Sequence, residues 1–175
     1  MDNRNTRNTK GSSLVELPGV LFVILIMLTF PLINLAAVGL RATFLFSAIR
    51  LAAHEAACAS SFQAGNSSAI RAAQAILNSE QKSWNGIKTS ALNVEILQTT
   101  VNSPFITKAS NVPLDPSKID TSKFLYQIQV SVKGNVSPLV DIGHGFFPSI
   151  PGLNSPMNLA VSHSEYCEHP TAMFQ

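Results

Sequence analysis

Residues 17–40 are 24 consecutive positions without a charged side chain. No other feature restricts the chain so strongly. A helix rises about 1.5 Å per residue, so this run reaches about 36 Å. That is enough to cross a hydrocarbon core of about 30 Å with some tilt. Glu16 closes the run on one side and Arg41 on the other. Asn34 is the one strongly polar side chain inside it; the hydroxyl of Thr29 can bond back within its own helix. Pro18 falls in the first turn, where a missing N–H costs little. Pro31 is interior and predicts a kink or a loosened turn.

Composition agrees with one membrane segment plus a water-facing part. Apolar residues make up 46% of the 175 and charged residues 13%, too apolar for an ordinary soluble domain and too polar for several spans. The net charge of +2 does not mark a nucleic-acid surface. Arg4, Arg7 and Lys10 against Asp2 account for all of it, and nine residues of each sign follow Gly11. Without a basic stripe, a phosphate-binding surface is not expected. The basic leader favours a cytoplasmic N-terminus, with the rest beyond the membrane. A secretory signal is the minor alternative. The apolar run is long for one, and the nearest small-residue cleavage site, "LAAVGLRA" at 35–42, follows it poorly.

Glu16 at the mouth of the run needs a reason, because a carboxylate there is expensive in a bilayer. It follows Ser12, Ser13, Leu14 and Val15, and before these stands Gly11, the last residue of the polar leader. This order resembles the type IV prepilin processing motif: a glycine, a scissile bond and a glutamate fifth in the mature chain. The resemblance implies a cut between Gly11 and Ser12 by a prepilin peptidase. Glycine lets the backbone enter a protease cleft in an extended form without steric cost. Cleavage would free an α-amine at Ser12, and a buried Glu16 can pair with the amine of a neighbouring subunit and set axial register. The plain alternative is an interfacial carboxylate favoured by the positive end of the helix.

Beyond the run, "RATFLFSAIRLAAHEAACASS" places Phe44, Ala48, Leu51, Ala52 and Glu55 at helical spacing, so the helix is expected to continue outward. Gly65-Asn66 is read as its break, and Ser67 or Ser68 as the cap of a second helix over 69–82, with Ile70, Ala73, Ile76 and Leu77 on one face. The period then changes. Leu92, Val94 and Ile96 alternate with polar residues; so do Phe124, Tyr126, Ile128, Val130 and Val132, and then Met157, Leu159 and Val161. The expected class is α+β: a long N-terminal transmembrane helix continuing into the domain, packed on an antiparallel sheet of about three strands. The expected division is a leader at 1–11, a membrane helix at 12–41 and an extracytoplasmic domain at 42–175. The long connections 103–122 and 136–156 hold most of the prolines, and loops of that length commonly bind something.

The segment "YQIQVSVKGNVSPLVDIGHGFFPSIPGLNSPMNLAVSHSEY" is similar to the C-terminal part of TadE-like proteins, minor pseudopilins of the tight-adherence (Flp) pilus system. The elements that carry the likeness are Pro138-Leu139, Pro151-Gly152-Leu153 and the strand from Leu159 to Glu165. The Ala-rich helix with Arg41, Arg50 and Arg71 fits as well. The chain departs from the family at Leu17, where phenylalanine is frequent, and at Pro18. The resemblance implies a single-pass protein of the bacterial cytoplasmic membrane. Its implied partners are the prepilin peptidase, other pseudopilins, a membrane platform protein, a secretion ATPase acting through it, and lipid. Neither cofactor nor small-molecule substrate is implied.

Cys58 and Cys167 are the two cysteines, and outside the cytoplasm they are expected to form a disulfide. "HSEYCEH" gathers His163, Glu165, Cys167, Glu168 and His169, ligand types zinc uses. Strand alternation lays His163, Glu165, Cys167 and His169 in an extended row, so no metal is expected. His144 beside Asp141 has the residue types of a base and its orienting carboxylate. No G-x-S-x-G, H-E-x-x-H or P-loop accompanies them, and no catalysis is expected. The alternative function is an unprocessed, membrane-anchored binding module using loop 136–156; a secreted enzyme has less support.

Overall fold

The computed structural model describes residues 12–78, 86–103, 105–115, 117, 119–140 and 148–172, with the backbone alone at 12–16, 78, 107 and 172. Helix α1 (Ser12–Ala57) is a single rod of 46 residues, about 69 Å long. It stays helical through Pro18 and Pro31. It is the one helix among the described residues long and apolar enough to cross a membrane.

The rod has two different halves. Between residues 17 and 28 the large apolar side chains other than Ile26 are more than half exposed. A continuous apolar surface of that kind needs lipid or protein to cover it. From Asn34 onward one face is buried instead: Asn34, Ala37, Val38, Arg41, Leu45, Ala48, Ile49, Ala52, Ala53 and Ala56. Their spacing of three and four residues is a helical stripe. Phe44 and Leu51, read from the sequence as part of a patterned face, stay more than a third exposed.

Helix α2 (Phe62–Asn78) folds back on α1 after a turn at 58–61. The break therefore lies at 58–61, and Gly65-Asn66 falls inside α2. Ser61 supplies the start signal, its Oγ accepting the Ala64 N–H at 3.2 Å. Gly65 is there for space, because a Cβ would stand 3.0 Å from the Ala56 carbonyl oxygen. A residue that reads as a helix breaker instead permits two helices to touch.

Among the described residues five strands, two more than expected, form one antiparallel sheet: β1 (Ile87–Thr89), β2 (Asn93–Thr100), β3 (Ile106–Ser110), β4 (Phe124–Val136) and β5 (Met157–Tyr166). β4 is the centre. One edge pairs with β5, from Gln127↔Tyr166 to Val136↔Met157. The other pairs first with β2 and then, at its far end, with β1. β3 continues the sheet outward from β2, with a register shift at Gln98/Thr99. The alternation read at β4 holds, with Tyr126, Ile128, Val130 and Val132 buried and Gln127, Gln129, Ser131 and Lys133 less so. At the entry to β4, Asp120 accepts hydrogen bonds from Ser122 and pairs with Lys123, which holds its carboxyl down to about 2.

The core lies between the stripe of α1, the inner face of the sheet and α2, with Leu45, Ile49, Ile96, Ile128 and Val130 at its centre. Each such side chain contributes about 1.5–3 kcal/mol when fully buried. Gly134 makes the contact possible: a Cβ there would stand 2.6 Å from Leu45 Cδ2, and Leu45 is fully buried. Replacing Gly134 by Val is expected to destabilise the domain by about 1–3 kcal/mol through overpacking. Gly39→Ala, where nothing lies within 4 Å of the added carbon, serves as the control and shows no such loss. Denaturant unfolding in detergent measures both.

Candidate functional site

The residues expected to direct processing sit at the start of the rod. Gly11 lies outside the described residues. Ser12 to Glu16 are helical by backbone and belong to α1. Asp141 and His144 also lie outside the described residues.

The structure draws a second set of residues together where the domain meets the apolar rod. Asn34 is completely buried. Its Nδ2 donates to the Val140 carbonyl at 2.9 Å and to the Leu153 carbonyl at 2.7 Å, and its Oδ1 accepts the Val140 N–H at 2.9 Å. One amide thus clamps both ends of the loop between β4 and β5 onto α1. Asn154 does the same inside the loop, accepting the Ile150 N–H at 2.6 Å and donating to the Pro148 carbonyl at 3.0 Å. Gly152, at φ +83°, makes the turn between them. Two turns of α1 beyond Asn34, the buried Arg41 donates from one terminal nitrogen to the Ser137 carbonyl. Its guanidinium lies where a Cβ on Gly86 would be. Its Nε has no hydrogen-bond partner among the described residues.

The sequence marked Asn34 as the odd polar residue in an apolar run but did not reveal its partners, which are more than a hundred positions away. The loop leaves an apolar crevice of about 260 Å³ against the rod, lined by Ile26, Met27, Phe30, Pro31, Ile150, Leu153 and Asn154.

A polar seam joins α1 to β5. His163, Glu165 and Cys167 lean inward, as strand alternation requires, while Glu168 and His169 lie past the end of β5 and are exposed. His169 therefore does not share the row expected of it. His54 Nδ1 meets Glu165 Oε2 at 2.8 Å, and His163 Nε2 stands 3.6 Å from Glu165 Oε1. The Phe46 ring meets His163 edge-on at 6.2 Å. No group of three or more His, Cys, Asp or Glu among the described residues could hold a metal ion.

Cys58 and Cys167 are both free thiols, so the bridge expected between them is not made in this structure. Their backbones are nonetheless side by side, because the Glu168 N–H donates to the Ala57 carbonyl at 3.1 Å. The sulfurs face different surroundings. Cys58 Sγ is 3.9 Å from His54 Nε2, while Cys167 packs against the core and burial pushes its thiol up to about 12.

No protein-family model, curated protein or solved structure matches the chain.

Asn34→Leu keeps the γ-branched shape but strips three hydrogen bonds from part-buried loop backbone, at up to about 1–3 kcal/mol for each group left unpaired. Protease cleavage within 137–156 should become faster, while cleavage at the β2–β3 turn should not change. The His54–Glu165 pair predicts a pH effect. Its hydrogen bond, then the carboxylate charge, raises the histidine above its ordinary 6.5. The stabilisation is therefore complete below about pH 6.5 and is lost as pH rises through the folded value. A Tm series across that window should fall, and His54→Gln should remove that part of the slope.

Proposed function

We propose that the chain is a bitopic, prepilin-processed pseudopilin of the TadE-like kind, a minor structural or assembly component of a Flp-type pilus or a related secretion machine. The observation that carries this reading is the continuity of α1. One rod supplies both an uncovered apolar half and the spine of an α+β domain. Such a subunit associates through its helix and displays its sheet, and it needs no catalytic centre.

In this reading the leader at 1–11 stays in the cytoplasm, a prepilin peptidase cuts after Gly11, and the domain lies outside the cytoplasmic membrane. Other pseudopilins, a platform protein and its ATPase are the partners. Glu16 meets the new amine of a neighbour. Cys58 and Cys167, already on adjacent backbone, are joined by thiol–disulfide exchange with an oxidised dithiol oxidoreductase in that compartment.

Intact mass and N-terminal sequencing of the membrane-extracted protein test the proposal. A mature chain starting at Ser12, lighter by the two thiol hydrogens, is the expected result, and Gly11→Ala should retain the leader. A chain starting at Met1 or Asp2 means a plain membrane-anchored module. A start near Ala42 means a secreted protein. Either outcome overturns the pseudopilin assignment.

A further inference from the structure

We infer that the free edge of β5 is a pairing site for the β5 edge of a second copy of this chain, the two strands lying parallel. The inference rests on the reading of α1 as a bilayer span, which gives every copy one direction.

The Cys167 N–H donates to the Tyr126 carbonyl at 3.0 Å, and the ladder runs on from there through Gln127↔Tyr166 and Ile128↔Glu165. Bonded and non-bonded pairs alternate along an antiparallel ladder. Met157, Leu159, Val161, His163 and Glu165 therefore bond β4, while Asn158, Ala160, Ser162, Ser164 and Tyr166 turn their N–H and carbonyl groups away from it. Lys133 shows the same alternation from the other strand: it lies opposite Ala160 and uses its N–H and carbonyl on the far side, with Ser90. All five outward-turned residues of β5 are exposed. Among the described residues nothing bonds to their outward backbone groups. A row of alternating donors and acceptors at strand spacing is complementary to another extended backbone.

Edge strands are usually shielded by shortness, by lysine or by a bulge. β1 has three residues and carries Lys88. β3 has five, carries Lys108 and meets β2 through a register shift. β5 has ten residues in unbroken register with β4. It contains no lysine, arginine, proline or glycine, and its one carboxylate, Glu165, is taken by His54. The longest edge is thus the one left open.

The anchor selects the occupant. Gly152 has both Val38 and Met157 beside it, and the Glu168 N–H bonds the Ala57 carbonyl, so β5 climbs α1 away from the apolar half. In every copy held by the same span it climbs in the same direction from the same level, so two β5 edges meet in parallel. Their outward groups fall on residues of like parity, and parallel bonding then needs a slip of one residue, about 3.3 Å. Ser162 of one copy comes to lie beside Val161 of the other. Turning one copy to face the other also exchanges the faces of the sheet. The small exposed side chains of Ala160, Ser162 and Ser164 in one copy then lie on the side where α1 of the other presents Phe46. That ring meets His163 edge-on and is 47% exposed, so it is open to such a neighbour.

Cysteine pairing in the full chain tests this, in phosphatidylcholine vesicles and with Cys58→Ser and Cys167→Ser as background. Chains carrying Ser162→Cys are mixed with differently tagged chains carrying Val161→Cys and oxidised. A linked heterodimer is expected, several-fold above that from a mixture of Ser162→Cys with Lys108→Cys chains, which places the second thiol on the β3 edge. Adding Ser162→Pro to the Val161→Cys chain removes an outward N–H and spares the β4 ladder, and should reduce linkage to that control level. Ala160→Lys on the same chain should do so by charge, and serves if the proline unsettles the strand. Linkage no greater than the control, or linkage that survives both substitutions, overturns the pairing and leaves the span standing. Ser162→Cys chains that link efficiently to one another report antiparallel edges and overturn it as well. Release of the chain from the vesicles by alkaline carbonate removes the span, and the inference with it.

Discussion

The rest of the structure is built on the alanine-lined stripe of α1. A strand can lie flat on a helix only where side chains are short enough for close approach and long enough to exclude water. Ala48, Ala52, Ala53 and Ala56 are fully buried on the stripe, and Leu45 and Ile49 share one buried cluster with Ile128 and Val130. The partners are adapted to the same contact: Gly134 yields to Leu45, and Gly65 lets α2 reach Ala56. Dispersion and hydrophobic burial at this seam are the main gains the domain has to set against chain entropy.

One rod serves two surroundings, and the change is abrupt. Toward the N-terminus the helix exposes apolar side chains on all sides; from Asn34 it buries one stripe and presents the rest. The change falls where the β4–β5 loop is hydrogen-bonded to Asn34, so a polar residue that would be costly in lipid becomes the tie between the domain and its anchor. Arg41, the next buried polar residue along the stripe, extends that junction to Ser137. Domain and rod are therefore joined through packed and hydrogen-bonded contacts as well as through the continuous helix.

Much of this architecture could be read from residue order. Period-two alternation at 124–132 and 157–161 marks strands, because both faces of β4 and β5 meet different surroundings. β1 and β3 escaped such reading for a physical reason. Ile87–Thr89 is too short to show a period, and Ile106–Ser110 is an edge strand with Ile106 exposed, so neither carries the contrast that patterning detects. Gly65-Asn66 misled because glycine has two uses, breaking helices and admitting neighbours, and only the position of Ala56 distinguishes them. For the site, Asn34 was visible as an anomaly and Cys58 and Cys167 as a pair, but not the loop that Asn34 holds or the direction in which each sulfur points.

Local order sufficed for the apolar rod, its length, the α+β class and the strand at the centre, since these follow from uninterrupted hydrophobicity and from periodicity that any short window contains. Tertiary structure alone decided where the rod stops being exposed, which polar groups it satisfies, and which edge of β4 each strand takes. Those outcomes depend on contacts between residues far apart in the chain, from Val136↔Met157 in the sheet to Asn34 with Leu153 between rod and loop, and such contacts are set by the joint packing of helix, sheet and loop rather than by the preferences of any one segment.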